Sequence, residues 1–173
     1  MKVTRSTVIT ALAVLVLATA IPSALRDTLE TGRIYLFSPE FLSDLPRRLS
    51  GPGRLRFVLQ PVVAILLGFR SGVGDARAGR PPYLVGLLFH SGYRREYLRT
   101  ALATLHDIVA LSIVLDVVSQ LLIFRQVHPG AALVVGPLLI GLPYAAARGA
   151  GNRYSRLGTR KPPLSPTSPP TPS

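Results

Sequence analysis

The segment TALATLHDIVALSIVLDVVSQLLIF, residues 100–124, decides the fold, because 25 residues pass between Arg99 and Arg125 without another basic side chain. At 1.5 Å per residue a helix of that length exceeds the ~30 Å hydrocarbon thickness of a bilayer. It can span. It also carries His106, Asp107 and Asp116, so any bundle containing it must shelter charge.

Outward from that segment, three more runs lie between basic residues. Residues 126–147 give 22 positions, residues 6–25 give 20, and FVLQPVVAILLGF at 57–69 gives 13. The first two are long enough to cross. The third crosses only if Arg56 and Arg70 reach back to the interfaces, and a run of that length more often marks a core or re-entrant helix. The expectation is an all-α, polytopic integral membrane protein of about four transmembrane helices near 6–25, 57–70, 100–124 and 130–147. They form one membrane domain over 1–156, followed by a disordered tail over 157–173.

Composition agrees. Of 173 residues, 48% are hydrophobic and 16% charged, against roughly 25% charged in soluble domains. The net charge is +12, carried by 18 Arg and 2 Lys against 8 acids. No cysteine is present, which removes disulfides, thiolate metal ligands and thiol nucleophiles.

Residues 6–25 also resemble a secretory signal, with Lys2 and Arg5 before the apolar run and Ala18-Thr19-Ala20 as a small-x-small site. Pro22 and the apolar continuation through Ile21 favour a retained anchor. Orientation follows from basic residues: with both termini cytoplasmic, 13 of the 20 lie inside. An N-in/C-in arrangement is expected.

Between the runs, Ser38-Pro39-Glu40 opens like a helix, with an N-cap, an N1 proline and a first-turn acid. Phe41, Leu42, Leu45 and Leu49 then share one face opposite Asp44, Arg47 and Arg48. This predicts a short interfacial helix interrupted or ended near Pro46 and Gly51, with its basic side toward lipid phosphate. The connection 70–99 is glycine-rich and then apolar over Tyr83 to His90, which suggests an interfacial or shallow re-entrant piece. Its Arg77, Arg80, Arg94 and Arg95 are candidate contacts for anionic head groups, although positive-inside anchoring alone accounts for arginines there. Six of the last twelve residues are proline, a polyproline-prone tail.

Catalytic patterns are missing. There is no H-E-x-x-H, G-x-S-x-G or P-loop, and His90, His106 and His128 fall too far apart under this topology to share a metal. No cofactor, no metal and no nucleic-acid partner is expected, and the chain reads as no enzyme.

Asp116 lies deepest among the ionisable groups, where a charge costs about 2.5–3.5 kcal/mol on insertion scales. Ser112, Ser119 and Gln120 stand at i−4, i+3 and i+4, which makes one polar stripe turned into the bundle. Depth counting places Gln60 near this level as its partner. Asp107 falls on the opposite face, and at that inner end His106, Asp107, Arg70, Tyr144 and Arg148 come to one level as a second polar cluster. Each group reads as a structural clamp or, at Asp116, as a proton or ion step. If Asp116 is a clamp, Asp116→Asn keeps the fold. In the last run, Gly141, Ala145 and Gly149 offer a small-residue face for close packing.

The arrangement of LQP (59–61), DARAGRPPY (75–83), LDVVSQ (115–120) and HPGAAL (128–133) is similar to small bacterial integral membrane proteins with no assigned activity. The resemblance spans about residues 8–156. It implies a bacterial inner-membrane, multi-pass location and carries over no functional residue. The functional expectation is an accessory or interaction component of a membrane assembly, bound by membrane lipids and a membrane-protein partner or a second copy. A small transporter or channel subunit using Asp116 is the alternative, and a lipid-modifying enzyme the third reading.

Overall fold

A computed structural model describes residues 4–32 and 35–158, without the side chains of Asp27, Thr31 and Phe37. The described residues form α1 (Arg5–Thr31), a 3-10 turn (Tyr35–Phe37), α2 (Pro39–Ser50), α3 (Arg56–Arg77), α4 (Tyr83–Phe89), α5 (Ser91–Phe124) and α6 (Pro129–Gly158). No strand occurs among them. Four of these helices, α1, α3, α5 and α6, are long and apolar enough to cross a membrane. In hydrocarbon a helix is the element that satisfies every backbone group within its own segment, so these apolar runs fold this way. The proline-rich stretch from 159 on lies outside the described residues.

Consecutive long helices alternate in direction. Ser6 of α1 meets His106 of α5, and further along Val16 and Leu17 pack beside Ile113 and Val117, so α1 and α5 run the same way. Gly68 and Gly72 of α3 lie against the Tyr144 and Arg148 backbone of α6, so that pair also runs together. Gly136 near the start of α6 faces Ser112, while Arg148 near its end reaches Thr100, so α6 opposes α5.

The closest approach is between α3 and α6. A Cβ at Gly68 would overlap the Tyr144 carbonyl, one at Gly72 the Arg148 carbonyl, and one at Gly151 the Phe69 carbonyl. Glycines at these three places let two backbones touch where any side chain would hold them apart. The face expected to do this, Gly141 and Gly149, is open: a Cβ there meets nothing within 4 Å. The main apolar cluster beside the α3–α6 seam joins Ala64, Tyr83, Tyr97, Leu105, Ile140 and Tyr144. α1 is held on the far side of α5 through Ala13, Ala110 and Val114.

Two expectations change. α3 does not stop at Arg70 but continues through the glycines to Arg77, for 22 residues or about 33 Å. Charge marked a boundary there that the backbone ignores, because Gly72 and Asp75 face α6. α2 likewise runs through Pro46 to Ser50, and its Arg48 is turned inward at 1% exposure while Leu42 and Leu49 are exposed. The expectation turned the basic side of this helix toward lipid phosphate, whereas Arg48 reaches inward to the acid at Asp116.

Candidate functional site

Among the described residues, two carboxylates are buried between the long helices, and both are held by arginine. Asp116, 1% exposed, receives Gln120 Nε2 on Oδ2 at 2.6 Å from the next turn of α5. Its Oδ1 takes Arg48 Nη1 of α2 at 3.4 Å and an ion pair from Arg56 Nη2 at the start of α3. Gln120 also accepts the His128 backbone N–H at 2.7 Å, which ties α5 to the entry of α6. Tyr35 closes this end. Its ring stacks on His128 at 3.6 Å, its hydroxyl donates to Asp44 at 2.7 Å, and it accepts from Arg48 Nη2 at 3.4 Å. Burial raises the Tyr35 pKa above its ordinary value, and the Asp44 hydrogen bond works the same way against Arg48.

The guanidiniums here outnumber the carboxylate. Among the described residues, Arg48 Nε and Arg56 Nε find no hydrogen-bond partner, and Arg56 Nη2 touches Asp116 without an aligned bond. Gln60 stands one turn along α3 from Arg56, yet its Oε1 accepts from Ser112 Oγ at 3.5 Å rather than meeting Asp116. Ser119 turns its hydroxyl to the Leu115 carbonyl at 2.8 Å and lies against Gly53. The stripe Ser112, Asp116, Ser119 and Gln120 is buried throughout.

Asp75, in the last turns of α3, makes the second site. Arg148 grips it with two bonds, Nε to Oδ2 at 2.6 Å and Nη2 to Oδ1 at 3.1 Å. The remaining nitrogen donates to Thr100 and Tyr144 hydroxyls, each at 3.2 Å. The guanidinium carbon lies 4.6 Å from the Tyr83 ring centre and 5.0 Å from that of Tyr97. Such aromatic faces favour a desolvated cation. Burial raises the Tyr83 pKa, opposed by Arg148. Arg80 adds a longer contact to Asp75 at 3.7 Å and pairs with Glu96.

The inner-end cluster expected from depth counting is therefore two separate groups. Tyr144 and Arg148 belong with Asp75, Arg70 is exposed, and His106 and Asp107 sit between α5 and α1. There Ser6 donates to Asp107 at 2.5 Å, His106 Nδ1 lies 3.0 Å from the same oxygen, and Thr10 faces His106 Nε2 at 3.3 Å. This is not a nucleophile relay. Ser6 and Asp107 meet the same ring nitrogen, and Thr10 already donates its proton to the Ser6 carbonyl at 2.9 Å.

Of the four arginines proposed for head groups, Arg94 instead caps α4, donating to Leu87 and Leu88 carbonyls at 2.8 and 2.7 Å. Arg80 is taken up beside Asp75 and Glu96, while Arg77 and Arg95 are exposed. Sequence reading missed Asp75, Arg48 and Arg56. Two signals pointed to them: Ala64, Gly68 and Gly72 recur every four residues through the supposed loop toward Asp75, and Arg56 shares a helical face with Gln60.

No protein-family model, curated protein or solved structure matches this chain.

Proposed function

We propose that this chain is a multi-pass bacterial inner-membrane protein, N-in/C-in, that serves as an accessory or interaction component of a membrane assembly. The observation that carries the reading is the closure of both buried carboxylates. Asp75 is held by Arg148 through two bonds, and Asp116 by two guanidiniums and an amide, so a passing cation would meet arginine charge at either acid. Both act as interhelical clamps. The apolar outer surfaces of α1 and α3, with Val14, Leu15, Val58, Leu59 and Leu66 exposed, remain for lipid or a partner helix. Nucleophilic chemistry finds no support in the Ser6–His106–Asp107 geometry.

Crosslinking in native membranes, followed by mass spectrometry, tests this directly. A stable stoichiometric partner supports the accessory reading. Flux of a cation across reconstituted vesicles that disappears with Asp116→Asn overturns it in favour of a small transporter. Phosphatase fusions at Arg95 and Arg160 check orientation, and both should be inactive because both positions then lie in the cytoplasm.

A further inference from the structure

A cleft of about 760 Å³ opens between α1 and the last turns of α5. Its walls are mostly apolar, with Val16, Ala20, Val117, Val118 and Leu121, and the hydroxyls of Thr19 and Ser23 on the same α1 wall are turned back to the Val16 and Ala20 carbonyls. Its mouth is basic, with Arg26 on α1 and Arg125 just past α5. Both arginines are exposed, and neither forms an ion pair among the described residues. Glu30, one turn beyond Arg26, leaves a net charge of +1 at the mouth among the described side chains.

Depth makes the match specific. Arg26 follows the final apolar residue of the first run, Leu25, and Arg125 follows Phe124, so both guanidiniums stand where each helix leaves the apolar layer. From Val16 to Arg26 is ten residues, about 15 Å of helix, which is half of a ~30 Å hydrocarbon core. The cleft is therefore one leaflet deep, mostly apolar along its depth and cationic at the level of lipid phosphate. Arg125 holds a left-handed backbone at φ 59°, the one non-glycine residue to do so among those described. That conformation ends α5 and leaves the Arg125 side chain on the rim.

We infer that the α1–α5 cleft is a binding site for one phospholipid, with an acyl chain against Val16, Ala20, Val117 and Val118 and the head-group phosphate between Arg26 and Arg125. Guanidiniums suit phosphate because each can donate two parallel bonds. The occupant is a lipid rather than free phosphate, since the cleft below the arginines is mostly apolar and would hold an acyl chain but not an ion. This inference rests on the membrane placement proposed above but not on the accessory role. It moves the lipid contact to the opposite end of the bundle from the 70–99 connection, where Arg80 and Arg94 are already engaged within the protein.

The test uses the full chain in mixed phosphatidylcholine–phosphatidylglycerol nanodiscs, with native mass spectrometry counting phospholipid retained after release. The wild type should retain phosphatidylglycerol. Arg26→Gln with Arg125→Asn should weaken retention about 30-fold, at roughly 1 kcal/mol per basic contact. Asn tolerates the left-handed conformation at 125, so the fold is kept. Val118→Trp, which fills the cleft without changing charge, should also expel the lipid. Retention unchanged in either variant overturns the site, as does equal loss from Arg77→Gln with Arg95→Gln, which would mean unspecific attraction to basic residues. A chain that fails to enter nanodiscs at all would overturn the membrane placement as well.

Discussion

Asp75 and Asp116 are both buried acids between helices, yet they are satisfied in opposite ways. At Asp75 one guanidinium, that of Arg148, makes two aligned bonds, its spare nitrogen is taken by two hydroxyls and tyrosine rings enclose it, while the second, Arg80, stands off at 3.7 Å and is balanced by Glu96. At Asp116 one acid serves two guanidiniums, one at 3.4 Å, and nitrogens on both arginines lack aligned bonds. The first site is complete from protein groups alone. The second carries a surplus of positive charge and draws its arginines from α2 and the very start of α3, elements with exposed neighbours on either side. Rigidity should therefore concentrate at the Asp75 end and adjustability at the Asp116 end.

The sharpest way to break this contrast is to strand Arg148. Asp75→Ala should cost about 3–5 kcal/mol, because an uncompensated charge remains in a closed site. Thermal unfolding in detergent would show it. Asp75→Leu with Arg148→Met should recover much of the loss, since replacing a buried pair with apolar residues is often near neutral. If the double variant is as unstable as the single one, the tyrosine enclosure requires its cation and the site is more than a charge pair.

Next in size is Asp116→Asn, expected to cost about 3 kcal/mol. The sequence suggested that an amide would preserve the fold, on the view that Asp116 faced only Gln60. With Arg48 and Arg56 in place, the same substitution leaves two cations facing each other. The loss should be smaller than at Asp75 because both arginines can swing toward the exposed ends of their helices. Asp116→Asn with Arg48→Leu should restore stability, and a double variant no better than Asp116→Asn would sink the two-to-one account.

What the sequence revealed, and what it hid, follows the same division. Long runs without Lys or Arg announced α1, α5 and α6, and the depth of Asp116 with its polar neighbours at helical spacing marked a buried stripe. Partners were harder to find, because spacing along one helix says nothing about which face a second helix presents. Arg56 and Arg70 looked equivalent as boundaries of a short run, yet Arg56 is buried and Arg70 exposed. Asp75 was hidden by glycine: residues 70–77 read as a loop by composition, whereas Gly72 is there so that α6 can approach. Glycine in a membrane helix marks contact as often as it marks a turn.

That distinction gives a third, smaller test. Gly72→Ala should cost about 1–3 kcal/mol, because the new methyl meets the Arg148 backbone, which moves only with the whole helix. Gly141→Ala should be neutral or slightly stabilising, as its methyl meets nothing within 4 Å and alanine is the better helix former. Equal effects at the two positions would mean that α3 and α6 are not in backbone contact, and the closed geometry at Asp75 would lose its support.

The smallest effect belongs to Tyr35, which braces the adjustable site from outside. Tyr35→Phe keeps the ring stacked on His128 and removes only the hydroxyl that donates to Asp44 and accepts from Arg48. The expected loss is about 0.5–1.5 kcal/mol, the net value of an ordinary hydrogen bond. Its pH dependence separates this from a packing effect. Burial, helped by Asp44, raises the phenol above its ordinary 10.0, so the folded state holds the proton more tightly than the unfolded chain. The stabilisation is therefore fully present below the unfolded value and fades as pH rises through the folded one. Between pH ~6 and ~9 the difference between wild type and Tyr35→Phe should be constant, and above pH ~10 it should shrink as the wild type alone loses its proton. A difference that instead changes between pH ~6 and ~9 would point to another titrating group in the contact, and His128, stacked on the same ring, would be the one to test.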